Sequence, residues 1–310
     1  MAIKKFFRSV LPLAGILLLI YLLNQIGLEK IFTVKITNIS YIILALLVIP
    51  LALILQTFKW KLILKLQKTD IDFISLFKIN LIGLFYGTIT PGKVGSFIKI
   101  SYLKDKTKLD AATSSSSVIL DRLFDLSSIS ILAFVGSLLL VNQISNLLFV
   151  ILLITFFFIA FFYVISNQKL TERFLRLLYV RLIPQKYKPI AKRSFYSFYS
   201  NMPKISHLLL PFSLSILLYL LLYTGGCFIF YSAGISIPYI YLVTIIPIAT
   251  LVGLIPITIS GFGTREATLI ALLSIFNVLP EQALVLSILG YLILTVLPSL
   301  AGGILSLFYK

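Results

Sequence analysis

The chain has 310 residues, of which 59% are hydrophobic and only 12% are charged, which excludes an ordinary soluble domain. The net charge of +17 comes from 27 basic and 10 acidic residues, and the basic residues lie mainly between apolar runs. That placement is typical of cytoplasmic loops and of attraction to anionic lipid, not of a nucleic-acid partner. One cysteine and one histidine exclude an intramolecular disulfide and a metal site built from these residues, so we expect no metal or other cofactor.

The first two apolar runs predict membrane-spanning helices, because each approaches the ~20 residues that a helix needs to cross the hydrocarbon layer. Val10–Ile26 is interpreted as a first span and not as a signal peptide, since no small-residue cleavage site follows it. Ile39–Phe58 is the second span. Lys59, Trp60 and Lys61 follow it, a combination typical of the cytoplasmic interface of a membrane.

The next run, Phe73–Thr90, predicts a re-entrant segment and not a full span. It carries Lys78 and Asn80 in its first half, and five lysines follow it, the last at Lys108. A full crossing would place these lysines outside, against the orientation bias of membrane proteins. We therefore expect a hairpin that enters from the cytoplasm, breaks at Pro91–Gly92 and returns.

The middle of the chain predicts two crossings and one polar segment. Val118–Val141 spans outward after a small-residue run at 111–117, which lets neighbouring helices approach closely, and Leu147–Ile165 spans back. Residues 166–206 are rich in Lys and Arg and are predicted to be cytoplasmic. Two interpretations of 166–206 stay open: a helical stretch on the membrane surface, or a solvated linker.

The last part predicts a span, a second hairpin and a final span. Leu208–Tyr231 spans outward. Tyr239–Ile259 then enters from outside, and Thr268–Leu279 is too short to cross alone, so the two favour a second re-entrant hairpin that opens outward. Ala283–Tyr309 makes the last crossing.

The predicted fold class is therefore all-α: a polytopic helical membrane protein with about six full spans and two re-entrant hairpins. Both termini are expected in the cytoplasm of a cell-membrane protein. We expect one domain over residues 1–310, with halves of about 1–165 and 207–310 joined by the basic segment 166–206. Hairpins entering from opposite faces suggest an inverted repeat, which is a hypothesis at this stage.

The two breaks carry the predicted binding residues. Proline and glycine interrupt a helix, and a broken helix inside a bilayer is tolerated only beside protein or an aqueous cavity. The free N–H groups at a restarting helix favour an anion, and a neighbouring basic side chain strengthens the site. The candidate anion-binding residues are Pro91, Gly92, Lys93, Gly95, Lys99, Arg122, Gly261, Gly263 and Arg265.

Three acidic residues lie in apolar surroundings and are candidates for charge balance or proton coupling: Asp121, Asp125 and Glu266. Asp121 and Asp125 share one helix face. The alternatives are structural, namely an interfacial ion pair at the mouth of that helix and a buried Arg265–Glu266 pair in a turn. The sequence shows no catalytic triad, Cys–His pair, metal cluster or nucleotide-binding loop, so we expect no catalytic residues and no enzymatic activity.

These residues resemble a known family, the flippase-like transmembrane domain of lysylphosphatidylglycerol synthases. The resemblance rests on the Pro91–Gly95 break with Lys99, on the Asp121–Asp125 segment and, most specifically, on Gly261–Glu266. It covers nearly the whole chain. Family members often have an acidic residue at position 96 and Arg at position 99, where this chain has serine and lysine. The synthases continue into a soluble aminoacyl-transferring domain, whereas this sequence stops at Lys310.

The resemblance implies movement of a phospholipid or lipid-linked sugar between leaflets. Two other hypotheses stay open. The chain could be a membrane partner that positions a separate cytoplasmic lipid-modifying or glycosyl-transferring enzyme, or an ion-coupled carrier of a small soluble anion. The sequence names neither the substrate nor the oligomeric state.

Overall fold

The computed structural model describes residues 19–107, 111–140, 167–173, 205–255 and 261–308, with single positions between 188 and 203. Regular structure in these ranges is helical throughout, which confirms the all-α prediction. Three of the described helices are long and apolar enough to cross a membrane: α1 (Ile39–Leu66), α5 (Leu209–Ser232) and α8 (Pro280–Phe308). Residues 19–26 of the predicted first span are helical, whereas the predicted span at 147–165 and most of segment 166–206 lie outside the described residues.

The first half of the fold contains two long helices with a hairpin between them. After α1 come α2 (Phe73–Thr88), a tight 3₁₀ segment (Pro91–Ile98), α3 (Lys99–Thr107) and α4 (Ala111–Leu139). The serine-rich start of α4 packs on α1, where the amide nitrogen of Gln67 donates to Ser116 Oγ at 2.8 Å. Small side chains allow this close approach, as the sequence predicts.

The chain reverses at Pro91–Gly92 and returns along α2. Gly92 and Lys93 adopt left-handed backbone angles, with φ of 59° and 58°, and only glycine does so at low cost. A Cβ on Gly87 would lie 3.3 Å from Ser96, and a Cβ on Gly83 would lie 2.5 Å from Lys99. The returning segment, residues 91–98, therefore runs antiparallel to α2. We name residues 73–98 hairpin 1, and it has the shape that the sequence predicts.

A second hairpin occupies the corresponding place in the other half. It consists of α6 (Tyr239–Leu254) and α7 (Thr264–Leu273), and we name residues 239–273 hairpin 2. At its closed end a Cβ on Gly261 would lie 2.8 Å from the Gly253 backbone. Gly261 has a φ of 79° there. At its open end the rings of Tyr241 and Phe276 are 5.3 Å apart, so the two arms are antiparallel.

Each half thus has the same order of elements: a long helix, a hairpin whose first arm has 16 residues, and a second long helix. The leading helices α1 and α5 pack against each other in opposite directions. The amides of Thr37 and Asn38, at the start of α1, donate to the carbonyl of Ser232, at the end of α5, at 2.8 and 3.0 Å. Opposite direction of equivalent helices is the geometry of an inverted repeat.

Each hairpin packs against the last long helix of the other half. A Cβ on Gly302 of α8 would lie 1.9 Å from the carbonyl oxygen of Leu81 in α2. In the same way, a Cβ on Gly136 of α4 would lie 2.5 Å from the carbonyl oxygen of Thr244 in α6. Small residues at such crossings let helix backbones come together without a hydrophobic driving force. The crossed packing brings the closed ends of both hairpins to one central cavity.

Candidate functional site

A cavity of about 240 Å³ lies where the closed ends of the two hairpins meet α4. Hairpin 1 contributes Lys93, hairpin 2 contributes Arg265, and α4 contributes Arg122. The three basic side chains therefore reach one space from three separate elements. The cavity is also bordered by Lys99, Asp121, Asp125, Tyr219, Tyr223, Ser287 and Tyr291.

One wall of the cavity is a buried cluster of ion pairs and hydrogen bonds that connects five helices, α1 to α5. Lys59 of α1 pairs with both carboxylates of α4, with its Nζ 2.9 Å from Asp121 Oδ1 and in direct contact with Asp125 Oδ1. Lys99 Nζ lies 2.9 Å from Asp121 Oδ2 and donates to Asn80 Oδ1 at 3.1 Å. Ser215 of α5 donates to Asp125 Oδ1 at 3.2 Å. Two lysines and two aspartates balance each other in charge.

Lys59 is a site residue that sequence reasoning missed. The sequence predicts that Lys59 and Trp60 mark the membrane interface, and the structure shows that both are 0% exposed and enclosed by protein. Trp60 is held between α1 and α4, where its Nε1 donates to Ser117 Oγ at 3.3 Å, and Lys99 Nζ lies 4.3 Å from its ring centroid. Helix α1 continues past its predicted end at Phe58 and therefore includes Lys59. No local sequence pattern distinguishes Lys59 from the exposed Lys65 and Lys68 that follow it.

Asp121 does not use its sequence neighbour Arg122 as a partner. Asp121 pairs with Lys59 and Lys99, and Asp125 pairs with Lys59. Arg122 lines the cavity. The described ion pairs include neither Arg122 nor Lys93.

The opposite wall is formed at the start of α7. Arg265 pairs with Glu266, and Glu266 Oε2 accepts a 2.7 Å hydrogen bond from the amide of Gly263. Ser287 of α8 donates to Glu266 Oε1 at 3.2 Å. The Arg265 guanidinium carbon lies 4.5 Å from the ring centroid of Tyr291, a cation–π distance. Glu266 is fully buried, while Arg265 reaches the cavity.

Some of the backbone amides expected to cradle an anion are already occupied. Gly263 donates to Glu266, and Gly95 donates to the hydroxyl of Thr90 at 2.7 Å. These hydrogen bonds shape the two turns. They leave fewer free backbone N–H groups for a ligand than the glycine-rich sequence predicts. The groups available to a ligand are therefore mainly side chains, in particular Lys93, Arg122 and Arg265.

The charges around the cavity do not cancel. Among the residues that the structure describes, five cations surround the cavity or pair with its lining, namely Lys59, Lys93, Lys99, Arg122 and Arg265, against three anions, namely Asp121, Asp125 and Glu266. Five minus three leaves an excess of two positive charges. Unbalanced charge away from water is costly, so the excess needs solvent or an anionic ligand.

An apolar region adjoins the charged one. Side chains of three helices form it: Ile49 and Leu53 of α1, Leu84 of α2, and Leu294 and Pro298 of α8. The cavity therefore offers both cationic and apolar side chains to a guest. This arrangement suits an amphiphile with an anionic head group.

The structure places every predicted site residue in or beside the two turns and α4. Lys93, Lys99, Asp121, Arg122, Asp125 and Arg265 line the cavity, with Glu266 directly behind Arg265. Pro91, Gly95, Gly261 and Gly263 form the turns, and Gly92 borders the cavity. Within the described ranges, no group of three or more His, Cys, Asp or Glu side chains could hold a metal ion.

Comparison with known proteins gives a family and two relatives. Residues 9–302 match the family described as "Lysylphosphatidylglycerol synthase TM region". The chain is similar over its full length to a UPF0104 membrane protein of Methanocaldococcus jannaschii, with 26% identity and 97% of that protein covered. It is also similar to a UPF0104 membrane protein of Pyrococcus horikoshii, with 26% identity over 97% of this chain and 96% of the relative. These two names state a membrane protein and no reaction.

Proposed function

Because the chain belongs to the lysylphosphatidylglycerol synthase TM region family, we propose that it moves an amphiphile with an anionic head group between membrane leaflets. The substrate class is a phospholipid or a lipid-linked sugar. The observation that carries this proposal is the cavity between the two hairpins, which combines Lys93, Arg122 and Arg265 with an adjoining apolar region.

Broken helices at the cavity support transport over a purely structural role. In transporters with inverted repeats, the substrate site lies at the repeat interface and is built from discontinuous helices. Here the interruptions at Gly92 and Gly261 both lie beside the cavity, one from each half. A head group held at this point would be exchanged between two sides when one hairpin moves relative to the other. The tail would stay against apolar side chains or lipid.

The ion-pair cluster gives hairpin 1 a fixed attachment to the remainder of the protein. Lys99 connects the returning arm to Asn80 in α2 and to Asp121 in α4. Charged hydrogen bonds of this kind are strong in a low-dielectric interior. Motion at the tip of hairpin 1 would therefore occur around Lys93, while the base at Lys99 stays in place.

Orientation and partners are part of the same proposal. Both termini would lie in the cytoplasm, and the basic segment 166–206 would concentrate anionic lipid at the cytoplasmic face of a cell membrane. The carboxylates of the cavity are all in ion pairs within the described structure. That arrangement favours binding of a charged head group over proton coupling through a free acid.

Leaflet exchange of labelled lipids in reconstituted vesicles tests the proposal. Vesicles containing the protein are expected to exchange at least one labelled anionic phospholipid, phosphatidylglycerol or phosphatidate, faster than protein-free vesicles. The double variant R265Q/E266Q keeps the net charge of the cavity and removes the arginine that faces it, so its exchange should fall toward the protein-free rate. Lys104→Gln, an exposed lysine on α3, is the matched control and should behave as wild type. Equal rates for wild type and protein-free vesicles with several anionic lipids would remove the support for transport.

A further inference from the structure

We infer that the head group bound in the cavity is a phosphate monoester carrying two negative charges, and not a phosphodiester carrying one. The inference rests on the proposed function and specifies its substrate class. Its basis is the charge excess of two around the cavity, together with the convergence of Lys93, Arg122 and Arg265 on one space.

Two of the five cations have no ion-pair partner among the described residues. Lys59 and Lys99 are balanced by Asp121 and Asp125, and Arg265 is balanced by Glu266. Lys93 and Arg122 remain, and neither forms an ion pair with a carboxylate of the described residues. Both side chains are only partly exposed.

The backbone at Lys93 adopts an uncommon conformation. This lysine has a φ of 58°, a left-handed conformation that costs a non-glycine residue free energy. The hairpin holds it there, because Gly95 donates to the hydroxyl of Thr90, and Ser96 Oγ donates to the carbonyl of Lys93, at 2.7 Å in both cases. The strained turn thus fixes Lys93 where Arg122 and Arg265 repel its charge and Asp125 attracts it, although Asp125 is already ion-paired with Lys59.

The charge of a phosphate monoester matches the excess of two positive charges. A phosphate monoester carries about −1.5 to −2 at neutral pH and offers three acceptor oxygens. It neutralises Lys93 and Arg122 together, and one of its oxygens is free to accept from Arg265. A phosphodiester carries one negative charge and would leave one cation without a counter-charge. A zwitterionic head group would add a cation to a site that already has an excess.

Binding to the purified full chain in neutral detergent tests the inference separately from transport. The probes are phosphatidate, a monoester, and phosphatidylglycerol, a diester, with identical acyl chains. Wild type is expected to bind phosphatidate at least about tenfold tighter than phosphatidylglycerol, since one additional charge pair is worth 1.4 kcal/mol or more. Equal affinity for the two lipids would overturn the inference.

Single-charge variants provide the sharper comparison. Lys93→Gln and Arg122→Gln each reduce the excess from two to one. Each should weaken phosphatidate binding about tenfold or more and change phosphatidylglycerol binding much less, so the preference for the monoester disappears. Lys104→Gln should retain the wild-type preference. If both variants weaken the binding of phosphatidate and of phosphatidylglycerol to the same extent, the excess charge does not select the head group and the inference fails.

Two further arms separate the sources of phosphate and the two proposals. Glycerol 3-phosphate carries the same head group without tails. If it competes as well as phosphatidate, the dianion inference holds and the ligand is a soluble phosphate monoester, which contradicts lipid transport. If vesicles exchange phosphatidylglycerol and phosphatidate equally fast and both bind equally well, lipid transport holds and the dianion inference is wrong.

Discussion

The Nζ atom of Lys59 lies 2.9 Å from Oδ1 of Asp121, and both side chains are buried among the described helices. The pair joins α1 to α4 at the depth of the cavity. Lys59 also contacts Asp125, and Asp121 also pairs with Lys99, so one lysine supports two carboxylates. Because a buried charge without a counter-charge is costly, this contact is expected to govern both stability and the shape of the cavity wall.

Replacing Lys59 with methionine should destabilise the protein strongly. The change leaves Asp121 and Asp125 with Lys99 as their only cation of the cluster. Loss of one partner of a buried ion pair costs about 3–5 kcal/mol. The measurement is the free energy of unfolding in mixed micelles. Lys65→Met is the matched control, because Lys65 is exposed on the same helix and should change that free energy by less than about 0.5 kcal/mol. Similar effects of the two changes would contradict the role given to Lys59.

Two glycines of α8 should respond in opposite ways to alanine. In Gly302→Ala the new Cβ would lie 1.9 Å from the Leu81 carbonyl oxygen, so α2 must move away. Overpacking of this kind costs about 1–3 kcal/mol. In Gly290→Ala the nearest atoms are 3.9 Å away on Ile229, an ordinary contact. Alanine favours a helix over glycine by about 1 kcal/mol, so G290A should be neutral or stabilising. Melting temperatures in one detergent check the difference.

Asp72 should give the protein a pH-dependent contribution to stability outside the cavity. Its carboxylate caps α2 by accepting a 2.8 Å hydrogen bond from the amide of Ser75, and this bond lowers the pKa of Asp72 below its ordinary value. A lowered folded-state pKa stabilises above the unfolded value of about 3.9, and that contribution is lost as pH falls through the folded pKa. Asp72→Asn keeps an acceptor and removes the titration.

The melting temperature should therefore fall more for wild type than for Asp72→Asn between pH 5 and pH 3. Thermal unfolding at several pH values in that window measures the difference. Other carboxylates contribute equally to both proteins, so the comparison isolates Asp72. Parallel pH curves would show that the Asp72 carboxylate contributes no more in the folded than in the unfolded chain.

Thiol labelling should distinguish the cavity face of α4 from its packed face. Cys227 is the only cysteine of the chain and is buried, so the wild-type protein should react only after unfolding. In a Cys227→Ala background, Arg122→Cys should react with a small water-soluble thiol reagent because position 122 lines the cavity. Leu123→Cys is the control, since Leu123 is 6% exposed and packed in the interior. Mass spectrometry gives both rates, and equal rates would contradict the orientation of α4.

Local sequence chemistry predicted the breaks and hairpins well. Gly92 and Gly261 adopt positive φ at the two turns, as a break requires, whereas Pro50 and Pro247 lie inside α1 and α6, so proline alone does not predict a break. The run after Phe73 carried too many polar side chains for a lipid-facing span, and α2 has the short length expected of a hairpin arm.

Partners across the structure could not be read from the sequence. The helix that carries Lys59 is apolar on all sides, so periodicity does not show which face is covered by protein and which by lipid. Asp121 and Lys99 meet only because hairpin 1 returns along α2. The anion cradle was predicted from glycine-rich turns, and the amides of Gly95 and Gly263 proved to be occupied by side chains of the same turns. Which hydrogen bonds a turn makes internally depends on tertiary geometry.

The excess of two positive charges around the cavity also bears on how a membrane voltage would act. Moving one elementary charge through the full potential is worth about 2.3 kcal/mol per 100 mV. An empty cavity carries the excess of Lys93 and Arg122, whereas one filled by a dianion is electrically neutral. If the cavity changes its access during a transport cycle, the voltage would favour one orientation of the empty protein and have no effect on the filled one. The return of the empty protein would then be the voltage-dependent step.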